Sequence, residues 1–302
     1  YISHRLEELL ELTDRITVLK DGRTVETVLT SGMNKDRLVS LMIGRELAQI
    51  YPKKRDANPY SEVIRVSGLK TAVSDDPQSF EVRRGEILGI GGLVGSGRTE
   101  MLESLFGKLG PEACHVMVAD NRLMLASPKQ AVKEGWGMVP EDRKRYGGLL
   151  NLSIRDNITL ANLSSVSNEW GFINPASAQE IVDALVRKLH VKLNSADDPL
   201  SSLSGGNQQK IILAKWLNID LKVLLIDEPT RGVDVGARAE IYQIIQDLAD
   251  HGLYIMMVSS DVEELLGLSD RILVIRNGQI QGELNRAEFD EERVLRMAIG
   301  AN

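Results

Sequence analysis

Leu203-Ser204-Gly205-Gly206-Asn207-Gln208-Gln209-Lys210, followed downstream by the apolar run Val223-Leu224-Leu225-Ile226 and the acidic pair Asp227-Glu228, decides the fold of this 302-residue chain. The first stretch has the form of a helix start. Its serine and two glycines let backbone N–H groups close on a phosphate, where the helix dipole favours an anion. The second has the form of a buried parallel strand that delivers two carboxylates at its C-terminal tip, the place where open α/β sheets bind their ligands.

Upstream, Ile87-Leu88-Gly89-Ile90 reads as a short buried strand running into Gly92-Leu93-Val94-Gly95-Ser96-Gly97-Arg98-Thr99, with a helix expected from about Glu100 to Phe106. That spacing matches the phosphate-binding loop G-x-x-x-x-G-K-[ST] except at Arg98. Gly92, Gly95, Ser96 and Gly97 would wrap backbone N–H groups around a β-phosphate, and Thr99 is spaced to bind Mg²⁺. Between the two motifs, Val139-Pro140-Glu141-Asp142-Arg143 ends another strand, and residues 152–200 read as a mixed helical stretch with Ile181, Leu185, Val186 and Leu189 on a core-facing side. A helix from Ser204 to about Leu217, a strand 223–226, a helix 236–250 and a strand 253–258 complete βαβ units with parallel crossovers.

A formal charge of −7 argues against a nucleic-acid partner, which calls for a basic face. No apolar run approaches the ~20 residues that span a bilayer, so membrane association is expected only through a partner. Cys114 is the sole cysteine, which fits a reducing compartment, and with His115 alone beside it a metal site is not expected. His190 and His251 read as surface or helix-end histidines.

The chain also repeats itself. Residues 1–44 align without gaps onto 257–300: Ser3-His4-Arg5-Leu6-Glu7-Glu8-Leu9-Leu10 lies over Ser259-Ser260-Asp261-Val262-Glu263-Glu264-Leu265-Leu266, and Asp14-Arg15-Ile16 over Asp270-Arg271-Ile272. Each copy reads as helix, strand, tight hairpin at Asp21-Gly22 or Asn277-Gly278, strand and short helix. The expected organisation is a tail of one domain (1–48), a Pro-containing charged linker (49–60) and a whole second copy (61–302).

From about residue 61 to 300 these motifs together resemble an ATP-binding cassette ATPase. The resemblance implies a P-loop α/β fold: a mixed sheet core, an antiparallel β subdomain and a helical subdomain. Residues 92–99 look like its Walker A, Ser204-Gly205-Gly206 its signature, Asp227-Glu228 its Walker B with Glu228 as the catalytic carboxylate, and Val233-Asp234 its D-loop. More narrowly, Pro140-Glu141-Asp142-Arg143-Lys144 and Glu228-Pro229-Thr230-Arg231-Gly232-Val233-Asp234-Val235-Gly236 look like the second half of tandem ATPases that energise bacterial monosaccharide importers of the ribose type. His4 would then be the switch histidine of the first half. The family implies ATP and Mg²⁺ (on Thr99 and Asp227), integral membrane permease subunits, a first cassette half in the same chain, indirect contact with a periplasmic or extracellular sugar-binding protein, and a place on the cytoplasmic face of the plasma membrane. An importer of nucleosides or of a sugar-derived signal, or a soluble tandem cassette, would have similar motifs.

Four departures from the family pattern stand out. Arg98 replaces the Walker A lysine, Glu141 the Q-loop glutamine and Ser260 the switch histidine, and no aromatic lies between Leu69 and Ser79 to stack on adenine. Arginine is a flat fork rather than a compact point charge, Glu141 adds negative charge near a triphosphate, and serine has no imidazole. Because cassettes in this family meet head to tail, the resemblance implies one competent site, completed by Ser204, Gly205 and Gly206 and served by His4, and one largely structural site lined by Arg98, Glu141 and Ser260. The permease is expected beside Tyr146-Gly147-Gly148-Leu149-Leu150.

Overall fold

The computed structural model describes residues 1–2, 6–20, 23–34, 37–38, 41, 51–52, 60–110, 115–118, 121–123 and 125–300. His4, Cys114, the Asp21-Gly22 turn and most of the proposed linker lie outside these residues. Helix α1 (Leu6–Leu12) leads into β1 (Arg15–Lys20) and β2 (Arg23–Leu29). Then come β3 (Val63–Leu69), β4 (Gln78–Arg83), β5 (Ile87–Gly92), α2 (Arg98–Leu105), β6 (His115–Val118), β7 (Asn121–Leu123), α3 (Pro128–Lys133) and β8 (Trp136–Val139). The rest of the chain forms α4 (Ile154–Thr159), α5 (Pro175–Lys188), α6 (Gly205–Leu217), β9 (Val223–Asp227), α7 (Val235–Asp250), β10 (Tyr254–Val258), α8 (Val262–Leu268), β11 (Arg271–Arg276), β12 (Gln279–Asn285) and α9 (Glu291–Ile299).

A six-stranded sheet of order β12-β11-β5-β10-β9-β8 carries the core, parallel throughout except for β12. Every residue of β9 and β10 is buried, as expected of apolar strands covered on both faces. One face packs under α6 and α7, through Ile211, Tyr242 and Ile245. The other receives α2 and an antiparallel sheet of order β4-β3-β6-β7. In β4 the alternation is clear: Phe80 and Val82 point inward, Ser79 and Glu81 outward. This is the P-loop ATP-binding cassette fold, with its β and helical subdomains. Val258 pairs with Ile90 on one side and Asp227 on the other. The C-terminal tips of β5, β10 and β9 therefore end level, and their loops converge.

The internal repeat survives in the structure. Helix α1 and strands β1 and β2 occupy the positions that align residue for residue with α8, β11 and β12. Even the irregularity recurs, between Val18 and Leu19 in one hairpin and between Val274 and Ile275 in the other. Asn277 (φ 50°) and Gly278 (φ 74°) make the expected tight turn. In the first copy Ile16, Val18 and Leu38 form a small core with Leu9 and Leu10, and Val235 from the start of α7 packs against it.

Ile181, Leu185, Val186 and Leu189 all face the core as expected; the centre of the buried stripe of α5 is Ala178, Val182 and Leu185, continued by Leu189, while Ile181 and Val186 pack against the same core half-buried. Steps of four, three and four residues keep the stripe in line at 3.6 residues per turn, whereas Ile181 and Val186 fall to either side. The helix after the glycine loop begins at Arg98, earlier than expected, so Arg98 and Thr99 belong to its first turn. Asn174 caps α5 by accepting from the Ala176 and Ser177 N–H groups. Asn174→Ala is expected to cost about 1 kcal/mol, measurable as a shift in the urea midpoint.

Candidate functional site

The glycine loop leaves β5 at Gly92 and enters α2 at Arg98. Gly97 has φ 99°, and a Cβ there would come within 2.9 Å of Gly278 Cα, so only glycine lets the loop pass the hairpin turn. The Gly278 N–H donates to the Ser96 carbonyl at 2.7 Å, which pins the loop from the repeat hairpin. The Ser96 hydroxyl is buried and has no partner among the described residues. Residues 71–74 pack nearby, and the only large side chain they present is the aliphatic Val73, 45% exposed.

Opposite lies the tip of β9. Glu228 takes a left-handed backbone (φ 51°), costly for a side-chain-bearing residue, and is held by donating its N–H to the Val258 carbonyl at 2.9 Å. Its Oε2 accepts from the Ser260 hydroxyl at 3.0 Å. Ser260 therefore does more than lack an imidazole; it occupies the carboxylate. Arg98 is buried, and its Nη1 donates to the Ser259 carbonyl at 2.5 Å. Part of its fork is thus spent on the protein backbone.

Between these walls is a cavity of about 480 Å³, which brings together Gly95, Gly97, Arg98, Thr99, Glu141, Asp227, Glu228 and Ser260. Burial pushes the Asp227 carboxyl up to about 6, with Glu228 adding to the rise and Thr99 and Arg98 opposing it. Burial also raises Glu228, against the Ser260 hydrogen bond and Arg98, and lowers Arg98 against the pull of Glu228 and Asp227. Glu141 does reach the cavity, but its carboxylate is ion-paired with Arg231, a cavity residue that sequence reasoning did not single out although it stands inside the quoted 228–236 run. The pairing offsets the negative charge expected there.

Both Asp227 carboxylate oxygens are buried, and neither meets hydrogen-bond geometry with a described neighbour; the Thr99 hydroxyl faces them. Two hard oxygen donors with room left for water and phosphate oxygens fit Mg²⁺, which seldom takes an all-protein cage.

Ser204, Gly205, Gly206 and Asp234 do not line this cavity. Exposed Ser204 caps α6, accepting from Asn207 N–H at 3.5 Å, and Asp234 caps α7 through Ala237 N–H at 3.0 Å. A Cβ on Gly206 would lie 2.5 Å from Ala237 Cβ, so the two helix starts sit side by side only because Gly206 has no side chain. A further element was missed. Thr230 donates to buried Glu264 at 2.5 Å beside Tyr242, and Tyr51 stacks on Tyr242 at 5.2 Å. The signal was faint: Glu264 is one of the identities of the repeat, over Glu8.

Residues 76–231 match the protein-family model described as ABC transporter. The ribose import ATP-binding protein RbsA 3 of Rhizobium meliloti (strain 1021) is 46% identical over 299 residues, 99% of this chain and 59% of that protein. The ribose import ATP-binding protein RbsA of Bacillus subtilis (strain 168) is 45% identical over 300 residues, 99% of this chain and 60% of its own length. The chain thus spans about three fifths of the curated relatives it matches. Among solved structures, an ATP-binding cassette of an ABC transporter in its ADP conformation aligns with a TM-score of 0.63 at 20% identity, over 80% of this chain and 99% of that one. A cassette in a post-hydrolysis state bound to ADP and Pi aligns at 0.62 and 18% identity, over 75% and 100%. These two likenesses concern the fold.

Proposed function

The chain belongs to the ABC transporter family, and on that premise we propose that it is part of the ATP-hydrolysing subunit of a bacterial monosaccharide importer, the second cassette with the tail of a first. The observation that carries the reading is near-complete alignment, at 45–46% identity, to proteins named for ribose import; another relative is named for putative ribose/galactose/methyl galactoside import, which keeps the sugar class broad. Residues 1–48 would be the tail of the first cassette, 49–60 the linker and 61–302 the second cassette. The in-register repeat of α1-β1-β2 supports this division.

In this reading the backbone N–H groups of residues 95–99 cradle phosphate, while Arg98 supplies positive charge from a fixed position. Thr99 and Asp227 would hold Mg²⁺, which when bound offsets charge on phosphate oxygens. Glu228 would orient and deprotonate water; burial favours it as a base by raising its pKa, but its carboxylate is already engaged by Ser260, and an arginine and a serine stand where a lysine and a histidine would assist it. Ser204 and Gly206 would serve instead the nucleotide held by the first half, alongside His4 of that half. Integral permease subunits would dock beside Tyr146 and Leu149, 65% and 48% exposed, and connect indirectly with a sugar-binding protein. The subunit would then lie on the cytoplasmic membrane face; no described helix is long and apolar enough to cross a membrane.

Reconstitution tests this directly. With its permease and a ribose-class binding protein in liposomes, the full-length subunit is expected to hydrolyse Mg-ATP faster when sugar is present and to import it. Cysteines at positions 146 or 149 are expected to cross-link to cytoplasmic loops of the permease. Uncoupled hydrolysis with no sugar uptake, or cross-links confined to other faces, would remove the transport reading.

A further inference from the structure

Arg143 opens a single π-type turn (Arg143–Gly147) just after β8. Its Nη1 donates to the Arg231 carbonyl at 2.5 Å and its Nη2 to the Gly232 carbonyl at 2.9 Å. Nε is buried without a partner among the described residues. The same guanidinium lies against the start of α6: a Cβ added at Gly205 would stand 2.5 Å from Nη2. Two residues before it, Glu141 is paired with the Arg231 side chain. Two side chains of one loop therefore grip one short segment between β9 and α7.

We propose that Arg143 is a positioning residue that holds the start of α6 (Ser204-Gly205-Gly206) and the 231–234 segment in a single register, with the Glu141–Arg231 pair as a weaker second arm. The inference rests on the reading that Ser204 and Gly206 serve a nucleotide held by another cassette. It makes the loop that lines this half's nucleotide cavity at Glu141 the mechanical support of groups that act elsewhere.

The two arms are unequal. Glu141 and Arg231 are largely solvent-exposed, and such pairs contribute little. The two bonds from Arg143 are charge-assisted and geometrically fixed by a planar fork. With both Nη groups committed to carbonyls and Nε buried, the guanidinium is occupied in positioning rather than free to meet phosphate. The turn itself is anchored independently: Asp142 accepts from the Lys144 and Arg145 N–H groups, and Lys215 of α6 donates to the Gly147 carbonyl at 2.7 Å. Removing the fork should therefore loosen the register without melting the turn. Lysine keeps the charge but gathers its donors on one nitrogen, without the planar fork that meets the two carbonyls from separate nitrogens.

The experiment compares Arg143→Lys, Glu141→Gln and Gly205→Ala in the full-length protein assembled with its permease. It reads ATP turnover, affinity for a fluorescent ATP analogue, and amide hydrogen exchange. Arg143→Lys is expected to lower turnover ~10-fold with nucleotide affinity within ~2-fold of the parent, and to speed exchange in residues 204–208 and 231–236 together. Glu141→Gln, which removes only the exposed arm and leaves the Arg143 fork in place, is expected to leave exchange in residues 204–208 at the parent rate. Gly205→Ala presses on the same guanidinium without altering it, and its loss and that of Arg143→Lys should be non-additive; by itself it is also expected to speed exchange in residues 204–208 and 231–236 together, a readout that remains decisive if the lysine variant folds poorly. Unchanged turnover, faster exchange in only one of the two segments, or additive losses would overturn the proposal. Ser204→Arg is the control: if it is inactive while Arg143→Lys matches the parent, the clamp alone fails, and if Ser204→Arg is active, the two-cassette reading fails.

Discussion

Ser204→Arg in the full-length protein is expected to lower permease-stimulated turnover ~10²-fold or more, the scale of losing a transition-state contact, while Glu228→Gln stays within ~10-fold. The contrast follows from where the two residues sit. Ser204 is exposed at the first residue of a helix start, outside the cavity of its own cassette, beside Gly205 and Gly206, whose backbone would approach phosphate closely in the proposed two-cassette arrangement. A long cationic side chain blocks that approach. Glu228 sits inside a cavity where the nearby arginine already donates to the Ser259 carbonyl and the nearby serine already bonds the carboxylate. Glutamine preserves shape and hydrogen bonding there, removing only a base whose supporting groups are absent. ATPase assays on both variants, matched for assembly, check the expectation; equal losses would mean that both sites hydrolyse.

Asp227→Asn is expected to stabilise the protein in chelator while weakening Mg²⁺-dependent nucleotide binding at this cavity. Asp227 is 1% exposed, and burial raises its carboxyl to about 6. At pH 7 the group is ionised in the folded and unfolded chain alike, and folding bears a cost of about 3 kcal/mol for keeping the charge buried. As pH falls through about 6 the folded chain takes up the proton first, so this penalty fades and is gone below the unfolded value near pH 4. Asparagine removes the charge at every pH. The variant should therefore melt several degrees higher at pH 7 and differ little from the parent near pH 4, with the gain shrinking when Mg-nucleotide is added to the parent. Differential scanning calorimetry across that range reads it; a lower Tm at pH 7 would show that the carboxylate is stabilised by neighbours rather than strained.

Much of this architecture is legible from local pattern. The helix from Gly205 to Leu217 and the wholly buried β9 follow from glycine placement and an unbroken apolar run, both short-range signals. The Asn277-Gly278 turn is similarly local. What pattern could not supply depends on partners far apart in the chain. Arg143 reads as one charge in a polar loop until the fold brings residues 231 and 232 to its guanidinium. Thr230 and Glu264 meet only because the ends of β9 and β10 lie level, and Glu141 is disarmed by a residue ninety positions on. The core-facing side of α5 is legible from Ile181, Leu185, Val186 and Leu189, which all lie in or against the core; that Ala178 and Val182 form its centre is less so, because a helix face is about 100° wide and residues at its margins satisfy the period nearly as well as those at its centre.

The central claim is asymmetry: this half lends its signature to a site whose Walker motifs lie in the first half, and its own cavity turns over little. Vanadate trapping of a photoreactive ATP analogue in the permease-bound full-length protein, followed by peptide mapping, tests it most directly. The account predicts trapped nucleotide on the phosphate loop of the first half, lost in Ser204→Arg, with little label on residues 92–99. Equal trapping at residues 92–99 would contradict it.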